Sequence, residues 1–96
     1  MSSYFVAHII IHDPERYESY LQGFDEVFSS YDGEVICVDD NPEVLEGECA
    51  YTRIVMIRFR NRDEARRWYE SPEYQRLAEH RHAASSANIV LAKGRD

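Results

Sequence analysis

The apolar run Tyr4-Phe5-Val6-Ala7-His8-Ile9-Ile10-Ile11 is closed within two residues by Asp13-Pro14-Glu15, and that juncture constrains the chain more than any other feature. A β-branched stretch that is apolar on both sides of a period-two alternation reads as a central strand with both faces covered. Asp13 then supplies a helix N-cap. Pro14 takes the first helical position, where no amide hydrogen is needed, and Glu15 sits near the positive end of the dipole. The helix carries Tyr17, Tyr20, Leu21, Phe24, Val27, Phe28 and Tyr31 at three- and four-residue spacing, with Glu18, Gln22, Asp25 and Ser29 opposite. Gly33 stands where a helix C-terminus takes a positive φ.

A second strand is predicted over Glu34 to Val38, ending at the turn chemistry of Asp39-Asp40-Asn41-Pro42. Glu43 to Gly47 reads as a short edge piece before a loop to Thr52, and Arg53 to Phe59 as the third clear strand. Asn61 with Glu64 resembles a capping box, opening a helix that buries Ala65, Trp68 and Tyr69. Ser71-Pro72 interrupts that helix and starts another, because Ser71 is a good N-cap and proline is suited to the first position after it. This second segment carries Tyr74, Leu77, Ala78 and Arg81. Asn88 to Ala92 is the final strand, and Lys93 to Asp96 a polar tail.

The order is therefore β, α, β, β, α, β, in one domain spanning residues 1–96. With right-handed crossovers this order gives an α+β, ferredoxin-like fold: a four-stranded antiparallel sheet with the helices on one face. Alternation puts Phe5, Ala7, Ile9 and Ile11 on one side of the first strand and Tyr4, Val6, His8 and Ile10 on the other. The third strand splits Val55, Ile57 and Phe59 from Ile54, Met56 and Arg58. One helix layer leaves an apolar face open, so a homodimer is expected whose sheets meet through Tyr4, Val6, Ile10, Ile54 and Met56.

Composition narrows the partners. Eighteen acidic against eleven basic residues give a net charge of −7, and such a surface repels the phosphate backbone that dominates nucleic-acid affinity. No apolar run approaches the length of a membrane span, and no signal peptide is visible, so no nucleic acid and no membrane are expected as partners and a cytoplasmic location is. Cys37 and Cys49 are too few and too loosely spaced for a thiolate zinc site and read as free thiols.

Asp13-Pro14-Glu15 with Tyr17 and Tyr20, then Gly33, Val44-Leu45-Glu46-Gly47, the strand Ile54 to Phe59, and Trp68-Tyr69-Glu70-Ser71-Pro72-Glu73-Tyr74 with Arg81 closely resemble the family numbered 1330 among domains of unknown function. The combination of an early DPE-x-Y with a later WY-x-SPEY carries the resemblance. It implies the dimeric α/β-barrel group, which includes small monooxygenases and haem-degrading enzymes, and hence a fold and a dimer. It implies no particular reaction.

His8 and Arg58 are candidate catalytic residues, since the first and third strands are neighbours in this topology and both side chains belong to the same face. A histidine beside a fixed cation tends to stay neutral, suited to accept a proton. The structural alternative is a hydrogen-bonded interface histidine and an arginine paired with a carboxylate. Asp13, Tyr17 and Arg81 are candidate ligand-binding residues, matching the positions of the resemblance; Asp13 and Tyr17 also have structural work as a cap and as the start of the apolar stripe. Arg81 lies on the stripe of Tyr74 and Leu77, and is the best candidate to bind a small organic anion. His80 and His82 point away from each other on a helix, so no metal is expected. Trp68, Ser71 and Tyr74 resemble the helix of haem-degrading relatives, yet the position of their ligand histidine, ten after the tryptophan, is Ala78; no cofactor is expected, and Trp68 reads as core. With no nucleophile elbow, phosphate loop or dinucleotide fingerprint, two functions stay open. One is a cofactor-independent enzyme acting by acid–base chemistry on a small organic acid or aromatic. The other is a non-catalytic dimeric module that binds a small ligand.

Overall fold

In the computed structural model, which describes all residues from Met1 to Asp96, the chain runs β1 (Ser3–Ile11), α1 (Pro14–Phe28), β2 (Gly33–Asp39), β3 (Arg53–Phe59), α2 (Arg62–Tyr69), α3 (Pro72–Ala84) and β4 (Ser85–Lys93). The sheet order is β2-β3-β1-β4 with every neighbouring pair antiparallel. The two-sided apolar strand β1 is thus flanked on both edges, and the helices occupy one face, as the ferredoxin-like arrangement requires.

The helix boundaries follow from local chemistry. Asp13 accepts a hydrogen bond from the Arg16 amide at 3.2 Å, Asn61 from the Glu64 amide at 2.8 Å and Ser71 from the Tyr74 amide at 3.1 Å. Each cap satisfies an amide that the first turn leaves without a helical partner. Ser71 also donates to the Trp68 carbonyl at 2.8 Å, so one hydroxyl ends α2 and begins α3.

Phe5, Ala7 and Ile9 of β1 and Ile57 and Phe59 of β3 meet the helices in a core centred on Trp68, which is fully buried. Its ring lies 4.3 Å from Tyr74, 5.1 Å from Phe5 and 5.5 Å from both Phe28 and Phe59, centroid to centroid. Trp68 is a packing residue.

Three sequence expectations change. Gly33 begins β2 and has no positive φ; α1 ends at Ser29 in ordinary right-handed geometry, and only Gly47 has a positive φ. Gly33 is required by space: a Cβ there would lie 2.6 Å from Phe28 and 2.7 Å from Phe59. Glu43 to Gly47 forms no strand, since Asp40-Asn41-Pro42 turns the chain away and offers β2 no further partner. The last strand starts at Ser85, directly after α3, three residues earlier than its apolar pattern indicates.

An irregularity in β2 also matters. Val35 pairs with Ile57 and Val38 with Val55, but Cys37 pairs with Met56, with the register shifting between Val35 and Cys37. The extra residue, Ile36, is a bulge that sends two valines three positions apart to the same side of the sheet as the helices, where both stay exposed.

Candidate functional site

Between the covered face of the sheet and α1 lies a cavity of about 210 Å³. Its floor is β1 and β3, through Phe5, Ala7, Ile9, Val55 and Ile57; Val35 and Val38, placed by the bulge, line the β2 side, which opens to solvent. Tyr17, Tyr20, Leu21 and Phe24 of α1 form the roof. Only three charged residues reach this wall: Arg53, Arg81 and Asp25.

Arg81 enters because α3 presents Tyr74, Ala78, Arg81 and Ala84 on its inward face, positions that coincide on a 3.6-residue helix. Only 4% of the residue is exposed, it forms no salt bridge, and its Nε has no hydrogen-bond partner. Its guanidinium lies 5.9 Å from the Tyr20 ring centroid, and Nη2 donates to Nε2 of His82 at 3.3 Å. Burial works against the Arg81 charge; Tyr74 and Tyr20 hold its pKa above the ordinary value only once they ionise, and since burial raises both of them they bring it no opposite charge at neutral pH. His82 is pushed down by burial and then by the Arg81 charge, which leaves it the neutral acceptor this contact needs.

Arg53 enters differently. It shares the parity of Val55, Ile57 and Phe59, so the pleat of β3 turns it toward the helices. Nη1 donates to the Asp40 carboxylate at 2.7 Å, the guanidinium stands 5.7 Å from the Tyr17 centroid, and Nε is buried without a partner. The strand alternation carries the signal for this residue, an arginine at an inward position that belongs to no recognisable motif.

The roof tyrosines stay protonated. Burial raises Tyr20 well above the usual 10.0, with Tyr74 adding in the same direction; burial also raises Tyr17, with Arg53 opposing. Both hydroxyls therefore keep their protons at neutral pH and cannot act as bases; that of Tyr20 is engaged with the Tyr74 hydroxyl at 2.7 Å, and that of Tyr17 is able to face a negatively charged oxygen.

The other candidates lie elsewhere. Asp13 is exposed, caps α1 and does not line the cavity; it fixes the helix start that places Tyr17. His8 and Arg58 do share the open face but do not meet, because His8 is opposite Ile54 while Arg58 is opposite Tyr4. Four residues of strand separate them, about 13 Å at ~3.3 Å per residue. His8 lies 5.8 Å from the Tyr51 ring and opposite Asn88, whose amide donates to the Tyr51 hydroxyl. Arg58 pairs with Glu34, its cross-strand neighbour on β2.

Comparison with known structures bears out the fold. A protein of unknown function from Rhodopseudomonas palustris, RPA0582, superposes with a TM-score of 0.82 at 15% identity, covering 99% of this chain and 83% of that one. SnoaB of Streptomyces nogalater, a cofactor-independent oxygenase, gives 0.67 at 21% identity over 99% and 94% of the two chains. A dimeric ferredoxin-like protein of unknown function from Thermobifida fusca gives 0.67 at 12%, over 98% and 92%. No curated protein matches the sequence. The family pattern described as Domain of unknown function (DUF1330) matches residues 2–95, and with nearly the whole chain matched, this protein belongs to the DUF1330 family.

Proposed function

We propose that this protein binds a small organic acid with an apolar body in the cavity under α1, and that Arg81 holds its carboxylate. One observation carries the reading: a cation only 4% exposed lines an apolar cavity and has no carboxylate of its own. Leaving a charge in such surroundings is expensive unless an opposite charge joins it. Nothing in the protein does so, and a ligand carboxylate fits the guanidinium fork. Tyr17 would donate to a second oxygen of the bound acid, Tyr20 being engaged with Tyr74, and Asp13 acts only through the position of α1.

Protonated tyrosines beside a bound anion also suit cofactor-independent acid–base chemistry, with a hydroxyl proton stabilising negative charge as it develops on the ligand. The Streptomyces oxygenase shows that the fold accommodates reactions without a cofactor, although a likeness at that identity concerns the fold alone. We further propose a homodimer formed through the open face of the sheet, where Ile36 and Val90 are 43% and 58% exposed. His8 and Arg58, on that face, would then serve the interface and not the cavity.

Calorimetric titration of the wild type and Arg81→Gln with benzoate, phenylacetate and isovalerate tests the binding. Heat with the wild type that is lost in the variant supports it; equal, negligible heats in both remove it. Native mass spectrometry of the protein from its own host, followed by incubation with whatever acid it carries, separates enzyme from carrier by whether that molecule is converted.

A further inference from the structure

The two arginines of the cavity are not equivalent, and their difference defines the ligand. Arg81 has no acidic partner and an unsatisfied Nε, so it calls for a full negative charge. Arg53 is already neutralised by Asp40 at 2.7 Å, yet its Nε is also buried without an acceptor. A donor whose charge is already met calls for an oxygen without charge. Both stand against adjoining rings: Arg81 is 5.9 Å from the Tyr20 centroid, Arg53 is 5.7 Å from the Tyr17 centroid, and those centroids are 5.5 Å apart. Both line one cavity of about 210 Å³.

Carboxylates placed around the cavity select against a second negative charge. Asp40 stands behind Arg53, and Asp25 lies on the cavity wall at an exposed position two turns along α1 from Tyr17. Size sets a further limit, since a cavity of about 150 Å³ accommodates benzene and this one is about 210 Å³. That is room for a single ring, or an equally compact branched chain, with two polar substituents.

We infer that the ligand is a hydroxy or oxo monocarboxylic acid on a compact apolar skeleton, its carboxylate on Arg81 and its neutral oxygen on Arg53. This rests on the reading of the cavity as an organic-acid site and adds the substrate class and a specificity-determining residue.

Calorimetry on the full chain tests it with benzoate, 3- and 4-hydroxybenzoate, isophthalate and terephthalate, and with 4-methylpentanoate against 4-methyl-2-oxopentanoate. Satisfying a buried unpaired donor is worth about tenfold in affinity, so at least one hydroxy or oxo acid should exceed its parent acid by that factor. The diacids should bind more weakly than the hydroxy acids. Arg53→Met should abolish the preference for the added oxygen while benzoate and 4-methylpentanoate still bind. Asp40→Asn, at an exposed position, should strengthen the diacids selectively. Acids that bind through Arg81 with no gain from the neutral oxygen, a preference that survives Arg53→Met, or diacids that bind best would each overturn the inference while the organic-acid reading stands. No binding of any acid, or binding unchanged in Arg81→Gln, overturns both.

Discussion

The hydroxyls of Tyr20 and Tyr74 meet 2.7 Å apart inside the domain, joining α1 to α3 beside the cavity that Tyr20 lines. Burial raises both pKa values, that of Tyr20 most strongly. For a group that holds its proton more tightly when folded, the stabilising contribution is complete below the unfolded pKa of about 10 and is lost as pH rises from there through the folded value. Denaturation midpoints should therefore be insensitive to these tyrosines at neutral pH and fall above pH 10. Tyr20→Phe should flatten that fall and lower neutral stability by about 1 kcal/mol, the value of one hydrogen bond. A variant that loses stability above pH 10 as steeply as the wild type would refute the assignment.

Trp68→Ala should cost on the order of 3 to 5 kcal/mol, because it empties a fully buried site that six other aromatic rings surround. Urea titration measures this directly. An unchanged midpoint together with loss of acid binding would show instead that the indole serves the ligand.

Gly33→Ala should destabilise by about 1 to 3 kcal/mol through overpacking, since the new methyl group would sit at 2.6 and 2.7 Å from the Phe28 and Phe59 rings. Gly47→Ala, with open space around it but a φ of 77°, should cost about 1 kcal/mol for backbone reasons alone. Thermal melts of the pair distinguish the two causes: Phe28→Leu, which shortens the obstructing side chain, should reduce the penalty at Gly33 and leave that at Gly47 unchanged.

Light scattering at micromolar concentration should give twice the chain mass of 11.3 kDa, because the open sheet face carries half-buried Tyr4, Val6, Ile10, Ile54 and Met56 beside exposed Ile36 and Val90, apolar side chains that a second sheet would cover. Val6→Asp should yield the single-chain mass. A wild type of 11.3 kDa would dispose of the homodimer.

Local chemistry made much of this structure legible. The caps at Asp13, Asn61 and Ser71 each depend on a side chain and an amide three residues away, so the starts of all three helices, and the break at Ser71-Pro72, could be read directly. The parity of β1 and β3 decided which side chains face the helices, and the spacing of Tyr74, Ala78 and Arg81 turned Arg81 inward. These periodicities are short-range, and the sequence alone determined them.

Tertiary structure decided what no local pattern contains. The register of β1 on β3, fixed by pairing along the whole of both strands, puts Ile54 and not Arg58 opposite His8 and so separates two residues that strand adjacency alone would join. The reason Gly33 is glycine lies in two aromatic rings, one of them twenty-six residues away, and not in its own torsion angles. The bulge at Ile36 is set by partners on another strand, and it supplies Val35 and Val38 to the cavity wall. The contrast between a neutralised Arg53 and an unpaired Arg81 exists only once Asp40 has been brought to one of them and not the other. Side-chain types and periods set what each element presents; long-range pairing and packing set what those presented groups meet.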